Sequence, residues 1–263
     1  MTAIAQLPAA LSLFSLQGQT ALVTGASSGL GLQGFQCLAR AGARVIGAAR
    51  RVDLVQSQAE SLLAQGLDAH SVAMDISSDA GVAQAFSEMD RRGMIPDIVV
   101  NFAGIGHNRK WRHNQQVDWH RLLQTNLLGA ERVSQAAVQR LLAHKRPGNI
   151  IQVASTLGLT VQPSVSAYAS SKAALMHLTK SMAMELWPRG IRVNCLAPGL
   201  FRTPFTADFE RDHGSQYFDL SVTRRMGEAP ELEGALLFLA SPASSYVNGI
   251  VLPVDGGNHL RGM

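Results

Sequence analysis

The sequence predicts one α/β domain with a doubly wound parallel sheet, a Rossmann fold, of about seven strands with helices on both faces. Two observations lead to this prediction: short β-branched runs alternate with helical patterns along the chain, and the runs are continuously apolar. Continuously apolar strands are typical of a parallel sheet whose two faces are both covered. Since crossovers between parallel strands are right-handed, ligands are expected outside the carboxyl ends of the strands.

The elements follow one another without an internal repeat or a low-complexity linker. Apolar runs predict strands at 20–24, 44–48, 69–74, 97–101, 149–153, 191–196 and 249–254. Periodic patterns predict helices at about 29–41, 53–65, 79–92, 117–144, 166–187 and 229–240. Residues 17–263 are therefore expected to form a single domain. Residues 1–16 are apolar but contain no Lys or Arg, so we interpret them as an extension ahead of the first strand rather than a secretory signal.

Bulk composition excludes several classes of protein. The chain has 263 residues, 46% hydrophobic and 16% charged, which is enough to bury a substantial core and is unlike a disordered segment. No stretch approaches the roughly 18 apolar residues of a membrane span. Cys37 falls in a helical pattern and Cys195 in a strand, so we expect two buried thiols and a reducing compartment, the cytoplasm.

The basic residues are scattered, although the formal charge is +4. A nucleic-acid-binding protein usually concentrates its arginines on one face, so we expect a solvated basic surface and no nucleic-acid partner. Three of the histidines, His107, His113 and His120, lack metal-ligand spacing, so no metal is expected. A positive field would favour an anionic cofactor.

The segment at about 198–228 breaks the alternation of strands and helices. It opens with Pro198-Gly199 and holds several aromatic residues, namely Phe201, Phe205, Phe209, Tyr217 and Phe218. A long aromatic excursion late in such a domain indicates a lid over a substrate pocket. The alternative is an irregular surface segment whose aromatic side chains bury against the body of the domain.

A glycine-rich turn follows the first strand and opens a helix. Its sequence is Thr24-Gly25-Ala26-Ser27-Ser28-Gly29-Leu30-Gly31. Gly25 permits the tight turn, Gly29 lets the backbone approach a pyrophosphate, and Gly31 lets the helix pack close to the strand. The helix N-terminus offers unpaired N–H groups to phosphate, and the serines add hydroxyl donors. The turn therefore predicts a dinucleotide site.

The end of the second strand indicates which dinucleotide is bound. Enzymes that choose NAD(H) usually place Asp or Glu there, but this sequence reads Gly47-Ala48-Ala49-Arg50-Arg51. Arg50 can hold a ribose 2′-phosphate in a bidentate grip, and Arg51 can share that role. We therefore predict NADP(H) in preference to NAD(H). The alternative interpretation is two surface arginines at the start of a helix.

Two further strand ends are candidates for cofactor contacts. Asp75, followed by Ile76, comes after the third strand, where its carboxylate would suit the adenine amino group. A competing interpretation makes Asp75 the cap of the next helix. After the fourth strand, Asn101-Phe102-Ala103-Gly104 contains small residues that let the backbone pass the cofactor.

Tyr168 and Lys172 are the candidate reactive pair. They are four residues apart in a helical pattern and so share one face. A tyrosine titrates near about 10 in isolation, and a nearby ammonium favours its phenolate. Lysine is compact enough to lie beneath both a ribose and the tyrosine ring. Ser155, just past the fifth strand, and Asn126, inside the preceding long helix, complete the set.

Taken together, these motifs resemble the short-chain dehydrogenase/reductase family of the small, single-domain kind, over residues 17–258. The residues that carry the resemblance are Thr24 to Gly31, Asn101 to Gly104, Asn126, Ser155, Tyr168, Lys172, Arg192-Val193-Asn194, Pro198-Gly199, Thr203 and Val254-Asp255-Gly256-Gly257. The family implies hydride transfer between NADP(H) and a carbonyl carbon, interconverting a ketone and a secondary alcohol.

The resemblance also implies roles for the catalytic set. Tyr168 would donate or accept the proton, and Ser155 would hydrogen-bond the substrate oxygen. Lys172 would bind the nicotinamide ribose and lower the tyrosine pKa, and Asn126 would hold a water that links Lys172 to solvent.

Other implied features concern cofactor contacts and assembly. Thr203 and the backbone after Pro198 would hold the carboxamide and pyrophosphate side of the cofactor. One departure from the family pattern is Phe102, which stands where a second asparagine is common. Family members commonly form tetramers, so a homotetramer or dimer that pairs helices 117–144 and 166–187 and the last strand is expected.

Two other functions fit the sequence less well than a short-chain dehydrogenase/reductase. A sugar epimerase or dehydratase on the same scaffold is generally longer and has a differently spaced first motif. A cofactor-binding regulator without activity would not need all four catalytic residue types.

The sequence does not decide between several substrate classes, namely sugar acids, 3-oxoacyl thioesters, steroids and small ketones. Aromatic residues at 201–218 suggest an apolar pocket, whereas basic residues near the cleft mouth suggest a carboxylate or an acidic carrier, namely Arg109, Lys110, Arg112 and Arg202.

Overall fold

A seven-stranded parallel sheet forms the centre of the protein, as the sequence predicts. The computed structural model describes residues 9–106 and 108–260, so residues 1–8 of the predicted extension, His107 and residues 261–263 lie outside the description. The sheet contains β1 (Thr20–Thr24), β2 (Arg44–Ala49), β3 (Ala69–Ala73), β4 (Ile98–Asn101), β5 (Gly148–Val153), β6 (Ile191–Pro198) and β9 (Val251–Val254). Their order is β3-β2-β1-β4-β5-β6-β9. This is the order of a doubly wound fold, which reverses between β1 and β4.

Helices cover both faces of the sheet. They are α1 (Ala9–Ser12), α2 (Gly29–Arg40), α3 (Val52–Leu63), α4 (Asp79–Arg91), α5 (Gln116–Leu123), α6 (Ala130–Ala143), α7 (Ser166–Leu186), α8 (Ala207–Leu220) and α9 (Glu233–Ala240). Left-handed glycines follow the ends of α2 and α3, namely Gly42 (φ 97°) and Gly66 (φ 80°), where a side chain would be strained. None of the helices in residues 9–106 and 108–260 is long and apolar enough to cross a membrane.

Two hydrophobic cores lie on opposite faces of the sheet. Along β1, Ala21 and Val23 join the core beneath α2, α3 and α9, whereas Leu22 joins the core beneath α4 and α6. Adjacent side chains on a strand point to opposite faces, so both faces of β1 are buried. This arrangement explains why the strands are continuously apolar.

The helix expected at 117–144 is interrupted by a π-helical turn. Gln124–Gly129 form this turn between α5 and α6, and the helix axis continues through it. A π-turn inserts one extra residue per turn and rotates the following side chains, and its position is not encoded in hydrophobic spacing. Asn126 lies in the middle of this turn and is buried.

The segment 198–228 is more regular than expected. It contains α8 and a small two-stranded sheet of β7 (Phe201–Arg202) and β8 (Gly227–Glu228). Phe209, His213 and Tyr217 recur every four residues, and the Phe209 ring lies 5.5 Å from His213 and 6.0 Å from Tyr217. That spacing is typical of one face of a helix.

The end of the predicted extension packs on the domain. Leu16 is fully buried in the core beneath α2, and its N–H donates to the Ala41 carbonyl at 2.9 Å. The Leu13 carbonyl accepts from the N–H of Ala243 at 3.1 Å. Residues 13–16 thus contact both α2 and the turn after α9.

Candidate active site

The glycine turn after β1 has the close packing that its sequence indicates. Gly25 (φ 73°) and Gly29 (φ 57°) are both left-handed. A Cβ on Gly25 would lie 2.8 Å from the Ala103 nitrogen, and one on Gly31 would collide with the Gly25 carbonyl. Ser28, the N-cap of α2, makes no side-chain capping bond. The first-turn N–H groups of α2 and the bare glycine backbone therefore form a cradle that fits a pyrophosphate.

Neighbouring elements close around this cradle. Leu30 turns away from it and packs against the core, while a Cβ on Gly29 would lie 3.6 Å from Cβ of Thr203. Gly199, which follows Pro198 at the end of β6, packs against Asp255, which leaves no room for a side chain. Thr203 and the Pro198-Gly199 turn are thus close to the place where the resemblance puts the pyrophosphate and nicotinamide side of a cofactor.

The two arginines after β2 point in different directions. Arg51 Nη2 donates to the hydroxyls of Ser27 at 3.2 Å and Ser28 at 3.3 Å, so its side chain spans from β2 to the glycine turn. Arg50 lies nearer Asp75: the Ser77 hydroxyl lowers the pKa of Asp75 by hydrogen bonding, and the charge of Arg50 lowers it further. Arg51, rather than Arg50, is therefore the arginine that reaches the phosphate cradle.

Asp75 does not cap the helix that follows it. Its Oδ1 accepts from the Ser77 N–H at 3.0 Å and the Ser77 hydroxyl at 2.7 Å. The cap of α4 is Ser78, whose hydroxyl accepts from the Gly81 N–H at 3.1 Å. The Ile76 side chain is buried against Gly129. A cofactor contact from Ile76 would thus come from its backbone.

The Asn101 side chain does not face the cradle, so a cofactor contact at this position would come from the backbone, as the sequence predicts. It is 2% exposed and donates to the Ser134 hydroxyl and the Gln152 side-chain oxygen, both at 3.0 Å. Successive side chains of a strand alternate between faces, and this one lies on the α6 side of β4. Only the backbone after β4 lies at the cradle, where the Ala103 N–H donates to the Thr24 hydroxyl at 3.2 Å.

Phe102 occupies a niche beneath α2. A Cβ on Gly34 would lie 2.7 Å from the Phe102 ring and 3.1 Å from the Leu236 side chain. The ring therefore packs between α2 and α9.

Ser155 and Tyr168 meet at the carboxyl end of β5. Ser155 caps a short 3-10 turn, its hydroxyl accepting from the Leu157 N–H at 3.2 Å. Its side chain also lies close enough to the Tyr168 hydroxyl to lower the pKa of that tyrosine. Burial raises the pKa of Tyr168, and the Ser155 hydrogen bond acts in the opposite direction. A protonated tyrosine is thus aimed at the place where a substrate oxygen would accept from both hydroxyls.

Lys172 lies behind the tyrosine ring. Its Nζ donates to the Val153 carbonyl at 2.9 Å and is 5.8 Å from the centre of the Tyr168 ring. Burial lowers the pKa of Lys172 to about 8. The expected lowering of the tyrosine pKa by this ammonium does not appear here, because burial dominates the pKa of Tyr168 and the ammonium sits under the ring rather than beside the hydroxyl.

Asn126 joins the loop that follows β4 (residues 102–106, the β4 loop) to α7. Its Oδ1 accepts from the Ile105 N–H at 2.8 Å, and its Nδ2 donates to the Ile105 carbonyl at 2.9 Å and to the Ser171 hydroxyl at 3.1 Å. Ser171 in turn donates to the Tyr168 carbonyl at 2.7 Å. Ser171 is not among the site residues predicted from the sequence, although its position between Tyr168 and Lys172 could have indicated it.

Gly104 leaves an opening beside the lysine. A Cβ there would lie 3.3 Å from Asn126 Oδ1 and 3.5 Å from Lys172 Nζ. The gap at this point is therefore bounded by bare backbone, by an amide and by an ammonium. Such a boundary suits ribose hydroxyls or a water.

Two of the four basic residues expected at the cleft mouth are engaged in ion pairs. Arg109 pairs with Asp118 at 3.0 Å, and Arg202 pairs with Glu210 at 2.8 Å and with Glu228. Lys110 and Arg112 are exposed, and Arg112 Nε contacts the His113 ring at 3.0 Å. Lys110 and Arg112 are the basic residues of this group that have no carboxylate partner among the described ion pairs.

The pH dependence of cofactor capture should report Lys172. Because burial lowers its pKa to about 8 and raises that of Tyr168, the lysine loses its proton first as pH rises. We expect kcat/KM for NADPH to be flat below about pH 7 and to fall about tenfold per pH unit above the lysine pKa. Lys172→Arg, which keeps its charge, should lose that decline even if its overall activity is lower. A wild-type profile that is flat to pH 10 would contradict this assignment.

Comparison with known proteins covers nearly the whole chain. A family model described as enoyl-(acyl carrier protein) reductase matches residues 25–259. Gluconate 5-dehydrogenase of Gluconobacter oxydans is 36% identical over 249 residues, or 93% of this chain and 96% of that protein. A 3-oxoacyl-(acyl-carrier-protein) reductase of Aquifex aeolicus is 34% identical over 92% of this chain and 98% of that protein.

Solved structures match the same region. A crystal structure of a gluconate 5-dehydrogenase from Burkholderia cenocepacia, in complex with NADP and tartrate, superimposes with a TM-score of 0.92. The two sequences are 35% identical, and the match covers 96% of this chain and 99% of that one. Sequence and structure thus agree on one domain that contains the glycine cradle and the Ser155–Tyr168–Lys172 group.

Proposed function

The chain belongs to the short-chain dehydrogenase/reductase family, and we propose that it is an NADP(H)-dependent enzyme that interconverts a ketone and a secondary alcohol of a sugar acid. The observation that supports this most is that Ser155 and Lys172 both lie beside Tyr168, Ser155 near its hydroxyl and Lys172 Nζ 5.8 Å from the centre of its ring. These residues stand at the carboxyl end of the sheet, where a doubly wound fold binds its ligands. An inactive regulator would have no use for this arrangement.

Proton transfer at the carbonyl oxygen is the task of Tyr168. Its high pKa keeps the hydroxyl protonated, so it can donate to an oxygen that gains negative charge. Ser155 polarises the same carbonyl through a hydrogen bond, and Lys172 stabilises the tyrosinate that is left. NADPH, when bound, supplies the hydride. In alcohol oxidation Tyr168 accepts the proton instead.

Restoring the proton requires a route from the tyrosine to solvent. Lys172 and Asn126 border the opening at Gly104. A water in that opening would accept hydrogen bonds from the Lys172 ammonium and exchange its proton with solvent. The assignment of Asn126 to this relay rests on that geometry.

The cofactor would be held along the carboxyl ends of β1 to β4 and β6. The glycine cradle and Ser27 and Ser28 would bind the pyrophosphate, and Arg51 with Arg50 the 2′-phosphate. Asp75 would contact the adenine, and the backbone of Asn101 to Gly104 would pass beneath the adenosine. Thr203 and the turn at Pro198 would hold the nicotinamide side.

A sugar acid is the favoured substrate because cations would stand at the cleft mouth. Lys110 and Arg112 are exposed, the neighbouring Arg109 N–H donates to the Ser164 carbonyl just before α7, and ammonium and guanidinium groups bind carboxylates. Two of the similar proteins are gluconate 5-dehydrogenases. A 3-oxoacyl thioester is the second candidate, since apolar side chains near the cleft are also exposed, namely Leu159, Val161 and Phe205.

Turnover with a substrate panel tests the proposal. Wild-type protein with NADPH should reduce 5-ketogluconate faster, by kcat/KM, than a 3-oxoacyl thioester. Lys110→Ala combined with Arg112→Ala should raise KM for the keto acid but not for a neutral ketone, because the lost interaction is with the carboxylate. Preference for the thioester would support the second candidate instead. If none of the ketones in the panel causes NADPH to be consumed, the proposed function is contradicted.

The segment 198–228 is proposed to act as a substrate lid. Its α8 is anchored to the chain after β9, where Asn258 Nδ2 donates to the Tyr217 hydroxyl at 3.0 Å and Asn258 Oδ1 accepts from the Val222 N–H at 2.7 Å. The other end carries Phe205 over the cleft. A segment fixed at its base and exposed at its tip is suited to gating.

Assembly and location are also proposals. Strand β9 is the sheet edge and is only partly buried, and Tyr246 is 92% exposed while its ring lies 6.3 Å from that of Trp187. Exposed apolar side chains also follow α5 to α7, namely Val117, Leu128, Leu142 and Met184. Large exposed apolar areas mark interfaces, so we propose a homotetramer. Sedimentation at the mass of one chain would contradict the proposed tetramer.

Cys37 and Cys195 are free buried thiols, which supports a location in the reducing cytoplasm.

A further inference from the structure

We propose that Phe205 and Gly106 together set the size of the group that the carbonyl carbon may carry on the lid side. This inference rests on the proposed function. The Phe205 ring lies 6.4 Å from the Tyr168 ring at an angle of 41°. It is nevertheless 62% exposed. An aromatic ring that stands beside the ring of the reactive tyrosine without being buried is available to contact a substrate.

Gly106 explains how the ring spans the cleft. A Cβ on Gly106 would lie 2.6, 3.1 and 3.4 Å from three carbons of the Phe205 ring. The ring therefore rests directly on the backbone of the β4 loop, and any side chain at 106 would push it away. The lid and the β4 loop thus meet at the Phe205–Gly106 contact.

The position of the ring is fixed by the lid backbone. The Thr206 hydroxyl donates to the Phe201 carbonyl at 2.6 Å and accepts from the Thr203 N–H at 3.1 Å. Arg202 ties the same stretch to Glu210 and Glu228. Because these bonds hold the residues on both sides of Phe205, the ring can turn about its side-chain bonds but its Cα is constrained.

The consequence is a steric limit on the substrate. A small substituent on the carbonyl carbon, such as a methyl or hydroxymethyl group, fits beneath the ring and covers part of its exposed apolar surface. A large substituent, such as phenyl, must displace the ring from Gly106. The substrate class is therefore a ketone with one compact substituent, which includes open-chain keto acids of sugars.

Three ethyl 3-oxoesters that differ only in the substituent on the ketone carbon test this steric limit. Ethyl acetoacetate carries a methyl group, ethyl 3-oxohexanoate carries a propyl group, and ethyl benzoylacetate carries a phenyl group. The wild type should prefer the methyl compound. Phe205→Ala should raise the phenyl-to-methyl ratio of kcat/KM by about tenfold or more, since pocket contacts of this size discriminate 10- to 200-fold. Phe205→Leu should fall between the two, with most of the change in KM.

A double-mutant cycle separates the contact from a general effect. Gly106→Ala alone should lower kcat/KM for the methyl compound by about fivefold or more and broaden the size profile, because it displaces the ring. In the Phe205→Ala background the same change should have little effect. Leu63→Ala, an exposed apolar change at the far end of α3, serves as the matched control and should leave the profile unchanged.

Three outcomes would overturn the inference, and they are distinguishable. If the wild type reduces ketones but Phe205→Ala keeps the wild-type size profile, with its circular dichroism spectrum unchanged, Phe205 sets no limit and the proposed function stands. If Gly106→Ala acts equally in both backgrounds, the contact is not the cause. If the wild type reduces no ketone with NADPH, the proposed function falls together with this inference.

Discussion

Replacing Tyr168 with phenylalanine is expected to lower kcat for ketone reduction by about 10² or more, the range typical of losing a general acid. The change removes only the hydroxyl, which lies near Ser155. The ring and its position over Lys172 stay in place. NADPH affinity, measured by fluorescence titration, should therefore change little.

Tyr246→Phe is the matched control for this variant. It removes the same hydroxyl from a residue that is almost fully exposed and remote from the catalytic group, so turnover per site should match the wild type. Single-turnover rates separate proton transfer from product release. Retention of more than a tenth of the wild-type rate in Tyr168→Phe would end the proposed mechanism.

Replacing Arg50 and Arg51 should strongly weaken the preference of the protein for NADP(H) over NAD(H). A charge-assisted contact to phosphate is worth about 1.5–3 kcal/mol, or roughly 10- to 150-fold in affinity, so NADP(H) should bind at least tenfold tighter than NAD(H). Because Arg51 contacts Ser27 and Ser28, Arg51→Ala should remove more of the difference than Arg50→Ala. The double variant should remove nearly all of it.

An acid at the end of β2 should reverse the preference. Ala49→Asp places a carboxylate where it opposes the 2′-phosphate and can accept from a ribose hydroxyl. Arg91→Ala, an exposed arginine at the end of α4, is the control for a general loss of charge. Wild-type protein that binds NAD(H) as tightly as NADP(H) would contradict the assignment whatever the variants do.

The fold could be predicted from the sequence because its signals are local. β-Branched runs such as Ile98–Asn101 and a glycine turn directly after the first strand each determine their structure within a few residues. Parallel topology followed from the continuous apolar character of these runs. The family comparison confirmed both the fold and the resemblance to short-chain dehydrogenases.

Features that depend on packing between distant elements were not predicted. The π-turn at Asn126 depends on the β4 loop. There the backbone N–H and carbonyl of Ile105 hydrogen-bond the side-chain oxygen and nitrogen of Asn126. The orientation of Asn101 depends on Ser134 and Gln152, which lie far along the chain. The high pKa of Tyr168 comes from burial that only the folded chain produces. Each of these requires contacts across tens of residues, which spacing alone does not encode.

Transfer of an isotopic label tests the central claim most directly. Wild-type protein is incubated with a ketone and with NADPH that carries deuterium at one or the other position of nicotinamide C4, and the alcohol is examined by mass spectrometry. If the protein catalyses direct hydride transfer to a carbonyl carbon, one of the two labelled cofactors gives alcohol with a single deuterium on that carbon, and the other gives none. Alcohol without deuterium from either cofactor, or with deuterium that exchanges with water, would contradict the account.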